Sequence, residues 1–228
     1  MRISHRKPEG RLRGLKDHVD SQKLEEMEKQ FYPIKCRYQA AISEVVTKLE
    51  ILNTEFQQHH DRNPIHHIDS RLKTVESMYN KLVRKGLPLN LETAIDSFQD
   101  IAGIRVICSY LQDIYTIQSL LLTMDDLNVL RIRNYIAHPK PNGYRSLHIV
   151  AEIPVYLSEG RTQVPVEIQI RTIAMDFWAT LEHSLRYKSK EYVPSDVVTE
   201  LMQVAEDISN LDSKMQSIHD RLDDLEQK

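Results

Sequence analysis

Apolar positions recur at helical spacing early in the chain and at strand spacing through its middle. Tyr38, Ile42, Val45, Leu49, Leu52 and Phe56 fall three or four residues apart, which predicts an amphipathic helix through the thirties to the fifties. Asn63-Pro64 ends that pattern. Arg71-Leu72-Lys73 reads as a short strand or extended lead-in, with both cations pointing the same way because side chains alternate along an extended chain. Thr74 then caps a helix by accepting from the amide of Ser77. Met78 and Leu82 face the core, and Gly86 with Pro88 stops this helix. Ile101 to Cys108 is a near-continuous apolar run, the pattern of a strand covered on both faces. Residues 112 to 126 read as a helix, Val129 to Ile136 as a strand, and Pro139, Pro141 and Gly143 as a loop. Tyr144 to Val155 returns as a strand, Gly160 turns, Val164 to Arg171 is another strand, and a helix from Ala174 to Tyr187 follows.

This order predicts an α+β domain, a central mixed β-sheet flanked by helices. The tail differs. Leu201, Val204, Ile208, Leu211, Met215, Ile218, Leu222 and Leu225 alternate at spacings of three and four, an a/d seam that either packs on its own domain or joins subunits. We therefore divide the chain into a basic tail (1–20), a folded domain that carries the chemistry (21–190) and a C-terminal helix (191–228) suited to oligomerisation.

Composition narrows the classes. With 228 residues the chain can bury a real core, and its net charge of -3 argues against a general nucleic-acid coating protein. Arg2, Arg6, Lys7, Arg11, Arg13 and Lys16 make the first residues locally basic, as a solvated tail or as an arm that touches RNA. No apolar segment there suits a secretory signal, and no apolar run is long enough to span a bilayer. Cys36 and Cys108 both fall in apolar-periodic contexts and read as buried thiols in a reducing compartment. A cytoplasmic location is expected.

Polar residues inside the strands carry the chemistry. In the strand from Val164, the apolar Val164, Val166, Ile168 and Ile170 share one face, and Glu167, Gln169 and Arg171 the other. Alone, that describes any half-exposed strand. Asp100, however, opens a buried strand and Arg105 lies inside it, where charges need partners. A divalent cation bridging Asp100 and Glu167 supplies one partner and a nucleotide the other. Mg²⁺ takes one or two protein carboxylates together with phosphate oxygens and water. The plainer reading of Asp100 is a cap at the strand start. Asp100 and Arg105 have opposite parity, so either Asp100 lies just outside the strand or Gly103 hosts a bulge.

Arg71 and Arg105 can clamp a purine between guanidinium planes. Lys73, Ser77, Lys81 and Arg84 then hold its phosphates, although such a stripe is commonly just solvated. Tyr144, at a loop-to-strand turn, either presents its ring to a second base or is a core tyrosine. Lys140, Arg133 and Arg145 reach that second nucleotide's phosphates. His148 bonds a phosphate or ribose, or is simply structural. His59, His60, His66 and His67 have zinc-ligand chemistry, against which a solvated loop is the plainer reading.

The segments SRLKTVESMYNKLVRKG, DIAGIRVIC, KPNGYRSLH and VEIQIRTIAMDFWATLEHSLRYK, in that order, resemble the RelA/SpoT-type (p)ppGpp synthetases. Within them the chain is most similar to the small alarmone synthetases of the RelP-like branch, over roughly residues 36 to 215. The resemblance implies a nucleotidyltransferase-like fold and a role in the stringent response. It implies transfer of the β,γ-pyrophosphate of ATP to the ribose 3′-OH of GDP or GTP, with release of AMP and Mg²⁺ as cofactor. It assigns Arg71 and Arg105 to adenine, and Lys73, Ser77, Lys81 and Arg84 to the ATP phosphates. Asp100 and Glu167 become the Mg²⁺ ligands, with Glu167 also helping to deprotonate the 3′-OH. Tyr144 becomes the guanine-stacking ring. Lys140, Arg145 and His148, with Arg133, meet the acceptor's phosphates and ribose, and Gln169 supports the site. Asp176 stands where some relatives have Asn.

The resemblance also implies a homotetramer, which the heptad tail suits. The hydrolase domain of the bifunctional members has no counterpart in this sequence, so synthesis without hydrolysis is expected. Two other readings stay open. A toxin-like relative that pyrophosphorylates the tRNA 3′ end needs a basic surface beside Tyr144; the acidic Asp220, Asp223, Asp224 and Glu226 do not provide one. A non-catalytic guanine-nucleotide or RNA-binding module has no need of the Asp100 and Glu167 pair.

Overall fold

The computed structural model describes residues 21–188 and 194–226, so the basic stretch 1–20 lies outside the described residues. Five strands, β1 (Ile65–Leu72), β2 (Ala102–Cys108), β3 (Asn128–Asn134), β4 (Leu147–Leu157) and β5 (Gly160–Thr172), form one sheet in the order β1-β2-β5-β4-β3. The central β2 and β5 run parallel, and the other neighbours are antiparallel. The helices are α1 (Ser21–Phe31), α2 (Lys35–His59), α3 (Val75–Lys85), α4 (Leu91–Ser97), α5 (Leu111–Leu122), α6 (Ile173–Lys188) and α7 (Ser195–Glu226). The expected α+β order is observed, with α1 and α4 added.

Alternation decides which face of the sheet is covered. Ile104 and Val106 of β2, Leu147, Ile149 and Ala151 of β4, and Val164, Val166, Ile168 and Ile170 of β5 are buried together. Tyr38, Ala41, Val45 and Leu49 of α2 and Ile114, Ile117 and Leu121 of α5 cover them. Each fully buried aliphatic side chain contributes about 1.5–3 kcal/mol, so this face fixes the register of the whole sheet. The opposite face keeps its polar residues for the site.

Several local expectations meet their physical cause here. Thr74 accepts from the Ser77 amide at 3.1 Å, and Gly86 ends α3 at φ 62°. Asp100 lies just before β2, and the pairing of β2 with both neighbours is regular at Gly103, without a bulge there. Tyr144 lies in the loop ahead of β4, which starts only at Leu147.

Other expectations are corrected. Cys108 is buried but Cys36 is exposed; it lies two positions before the buried Tyr38, about 200° around the helix. His66 and His67 belong to β1 rather than to a loop. The register shifts between Ile65 and His67, so two successive residues face solvent and the period-two signal is lost. No group of three or more His, Cys, Asp or Glu among the described residues is placed to hold a metal, the histidine cluster included.

The heptad seam of α7 packs on its own domain only near its start, where Ile208 meets Trp178 and Ala205. Val204, Leu211, Met215, Ile218, Leu222 and Leu225 are exposed, while Ala205 and Asp212 are buried against the body.

Candidate active site

Two rows of paired residues cross the open face of the sheet. One runs Arg71, Gly103, Glu167, Val150, Arg131; the next runs Asp69, Arg105, Gln169, His148, Arg133. Each row takes one residue from each strand, so five strands converge on one patch. The Arg71 side chain lies across Gly103, where a Cβ would meet its Cγ in ordinary contact at 3.5 Å. A cavity of about 350 Å³ opens over these rows, walled also by Lys81, Asp100, Tyr135, Lys140 and Tyr144. A second, of about 340 Å³, shares Arg71, Tyr144 and Gln169 and adds Arg105, Arg171 and residues Thr180, Glu182 and His183 of α6. Both are large enough for part of a nucleotide.

The two carboxylates face the first cavity in different company. Asp100 accepts from Lys73 and Lys81, each at 2.8 Å. Burial alone would raise its pKa; the bonds and charges of the two lysines outweigh that and bring it to about 2. Glu167 accepts from Gln169 at 2.7 Å and lies 3.1 Å from His148 Nδ1. Burial again pushes upward, as does the charge of Asp100, but His148 and Gln169 prevail and hold Glu167 below the ordinary carboxylate value. Both groups are therefore ionised, and Glu167 feels the charge of Asp100.

Tyr144 is half-buried rather than presented freely to solvent. Its hydroxyl lies 2.9 Å from His148 Nε2 and accepts from Arg171 at 2.6 Å. Lys140 and Arg171 both lie over its ring, at 4.6 and 5.1 Å from the centroid. Lys140 also lies over the Tyr135 ring at 4.6 Å. The loop that carries Lys140 and Tyr144 is a tight turn, with Gly143 at φ 86° and its amide donating to the Lys140 carbonyl at 2.8 Å. It rests on α7: a Cβ at Gly143 would meet Ala205 Cβ at 2.5 Å.

The structure does not bring every expected residue into these cavities. Arg145 turns away and pairs with Glu206 of α7 at 2.7 Å. Arg84 and Ser77 are exposed on α3, and neither is among the residues walling the two cavities. Ser77 accepts from the Thr74 hydroxyl at 2.9 Å, as part of the cap. His148 does line the first cavity, but it is buried and both its ring nitrogens are engaged within the protein. Lys73 is held by Asp100.

A family model described as the region found in RelA/SpoT proteins matches residues 70–192. The GTP pyrophosphokinase YwaC of Bacillus subtilis is 45% identical over 186 residues, 82% of this chain and 89% of the relative. The chain belongs to the RelA/SpoT family. The GTP pyrophosphokinase YjbM of the same organism is 39% identical, over 84% of this chain and 89% of the relative. Among solved structures, small alarmone synthetase 1 of Bacillus subtilis bound to its product pppGpp superposes with a TM-score of 0.80 at 38% identity, covering 85% of this chain and 98% of that one.

The family pattern of motifs lies along β1 and α3, β2, the loop that carries Lys140 and Tyr144, and β5 with α6. Three further residues at the site, Arg171, Tyr135 and Arg131, had no role from the sequence, and Asp176 stood out only as a position where some relatives have Asn. Arg171 was visible only as an outward position on β5. Asp176 accepts from Arg171 at 3.1 Å and pairs with Arg105 at 3.3 Å. Tyr135 and Arg131 complete the cavity wall; periodicity places Arg131 on β3 but cannot say what it faces.

The donor set suits Mg²⁺. Two ionised carboxylates share one cavity, and a metal that takes one or two protein oxygens and leaves the rest to phosphate and water needs no larger cluster.

Proposed function

We propose that this chain transfers the β,γ-pyrophosphate of ATP to the 3′-hydroxyl of GDP or GTP, giving ppGpp or pppGpp and AMP. The observation that carries the reading is the convergence of ionised Asp100 and Glu167 on one cavity whose remaining charged wall is cationic. The names of the relatives and the pppGpp-bound neighbour point the same way.

In this reading adenine lies between Arg71 and Arg105, and its phosphates run toward Lys73 and Lys81. The acceptor base stacks at Tyr144, and Lys140, Arg131 and Arg133 meet its phosphates. Asp100 and Glu167 would hold Mg²⁺, which supplies charge neutralisation at the donor phosphates. Glu167 accepts the 3′-OH proton. The 3′ oxygen forms a bond to the β-phosphorus as the bond from that phosphorus to the α–β bridging oxygen breaks, and the oxygen leaves on AMP. The protein's share is positioning and neutralisation of charge. Arg145, bound to Glu206, anchors the acceptor loop and meets phosphate only by changing partners. Ser77 and Arg84 reach a phosphate only where the ATP tail extends beyond Lys81.

The exposed seam of α7, with Phe177 and Leu181 exposed on α6, supports self-association, and we place these surfaces at subunit contacts of a homotetramer. No helix among the described residues is long and apolar enough to cross a membrane; we place the protein in the cytoplasm with its nucleotide substrates. The basic residues 1–20 are the candidate RNA contact.

The test is incubation with Mg²⁺, ATP labelled in the transferred phosphates, and GDP, GTP or tRNA separately. Label is expected on the guanine nucleotides; label on tRNA alone overturns the reading. Glu167→Gln is expected to abolish turnover with the fold retained, measured by the same assay and circular dichroism.

A further inference from the structure

One buried guanidinium joins the acceptor side of the site to its base. Arg171 is 5% exposed. Its Nη2 donates to the Tyr144 hydroxyl and to Gln169 Oε1, both at 2.6 Å, and its Nη1 donates to Asp176 at 3.1 Å. A guanidinium only donates, so the direction of each bond is fixed. Gln169 must turn its oxygen to Arg171, which leaves its amide nitrogen to donate to Glu167 Oε2 at 2.7 Å. The Tyr144 oxygen accepts from Arg171, so its own proton is free for His148 Nε2 at 2.9 Å. The imidazole then carries its proton on Nδ1, facing Glu167 Oε1 at 3.1 Å. The ionised carboxylate accepts only and demands that same tautomer. These bonds close a ring: Arg171, Tyr144, His148, Glu167, Gln169 and back to Arg171. Both Glu167 oxygens receive bonds that trace to one nitrogen.

We propose that Arg171 is the positioning residue of this site, orienting Glu167 through Gln169 on one side and through Tyr144 and His148 on the other. The inference rests on the reading of Glu167 as base and Tyr144 as acceptor-base ring. Arg171 thereby locks the acceptor's stacking platform and the group that takes its proton into one geometry. Asp176 also pairs with Arg105 at 3.3 Å. Nη2, bonded to both Tyr144 and Gln169, is the atom at which the two arms of the frame meet.

The test compares Arg171→Met, which keeps length and loses every donor, with Arg171→Lys, whose ammonium can donate to both oxygens. Arg171→Met is expected to lower kcat roughly tenfold to a hundredfold and to raise the KM for GDP several-fold, with the KM for ATP little changed. Arg171→Lys is expected to recover part of both losses. A readout independent of turnover is the fluorescence of Trp178, the single tryptophan of the chain, which packs in a cluster with Tyr144. Titration with GDP should show weaker binding in Arg171→Met and in Tyr144→Phe, with the double variant no weaker than Arg171→Met. An unchanged kcat in folded Arg171→Met, additive binding losses, or a lysine variant no better than methionine overturns the proposal. Should Arg171→Met fail to fold, Gln169→Leu decides: kcat falls with GDP affinity retained, and an unchanged kcat rejects it. Glu167→Gln separates the two levels. Turnover in that variant removes the base itself, whereas a dead Glu167→Gln beside a wild-type-like Arg171→Met removes only this inference.

Discussion

Asp100 and Glu167 differ in what neutralises them, and that difference is testable. Asp100 is paired with two ammonium groups, whereas Glu167 is held by an imidazole and an amide. The drop of Asp100 from 3.8 to about 2 corresponds to roughly 2 kcal/mol in favour of its ionised form. Asp100→Asn should therefore cost activity and stability together, by about 1–2 kcal/mol, while Glu167→Gln should cost activity with little change in the urea midpoint. Equal stability in the two variants would contradict the assigned pairing. At this scale the sequence was informative where a charge broke an apolar pattern. Asp100 and Arg105 stand out against the run that follows, and Glu167 and Gln169 against β5. It was uninformative where a polar residue merely continued an alternation. Arg171 is indistinguishable by parity from any solvated strand residue, and Arg145 looks like a cavity cation although it turns to Glu206.

Among the elements, the loop that carries Lys140 and Tyr144 is the one most dependent on a distant partner. Its turn needs a left-handed residue at Gly143, and α7 approaches so closely that no Cβ fits without displacing Ala205. Gly143→Ala should strain the turn by about 1–3 kcal/mol and lift the loop off α7. The expected result is a higher KM for GDP or GTP with the KM for ATP unchanged; equal rises in both would place the loop elsewhere in the reaction. Lys140 and Gly143 signalled a turn in the sequence, but nothing local signalled that a helix some sixty positions later forms its floor. The same limit hid β1. Its bulge at His66 and His67 removes the alternation that would have revealed it, leaving only Arg71-Leu72 legible. The short α4 escaped because seven residues give too few turns for a periodic signal.

For the molecule as a whole, α7 is docked on one side and bare on the other. Its docked side contains a buried acid: Asp212 accepts from Thr172 Oγ1 at 2.6 Å. Burial raises the Asp212 pKa, and the Thr172 bond only partly opposes it. An acid whose folded pKa lies above the unfolded value costs stability at high pH, and the cost disappears as pH falls below the ordinary 3.8. Asp212→Asn keeps an acceptor for Thr172 and removes the charge. It should raise Tm by a few degrees near neutral pH, with the gain vanishing in acid; a lower Tm at neutral pH would show that the carboxylate is matched by charge. The bare side carries most of the heptad seam. Replacing Leu211 and Ile218 by Asp should leave the fold intact and reduce the particle to a smaller species in sedimentation, whereas an unchanged mass would remove the seam from the assembly. The α+β order, the core face and the seam were all readable from periodicity. Whether the seam folds inward was not, because intramolecular and intermolecular packing demand the same spacing.

The central claim is that Asp100 and Glu167 share one cation between a donor and an acceptor nucleotide. Its most direct test is a crystal structure with a non-reacting ATP analogue, GDP and Mg²⁺. A metal bound at about 2.0–2.1 Å from an oxygen of each carboxylate and from donor phosphate oxygens, with the GDP 3′-oxygen in reach of Glu167, is the expected result. A metal that binds only one of the two acids, or an acceptor whose 3′-oxygen faces away from Glu167, would contradict it.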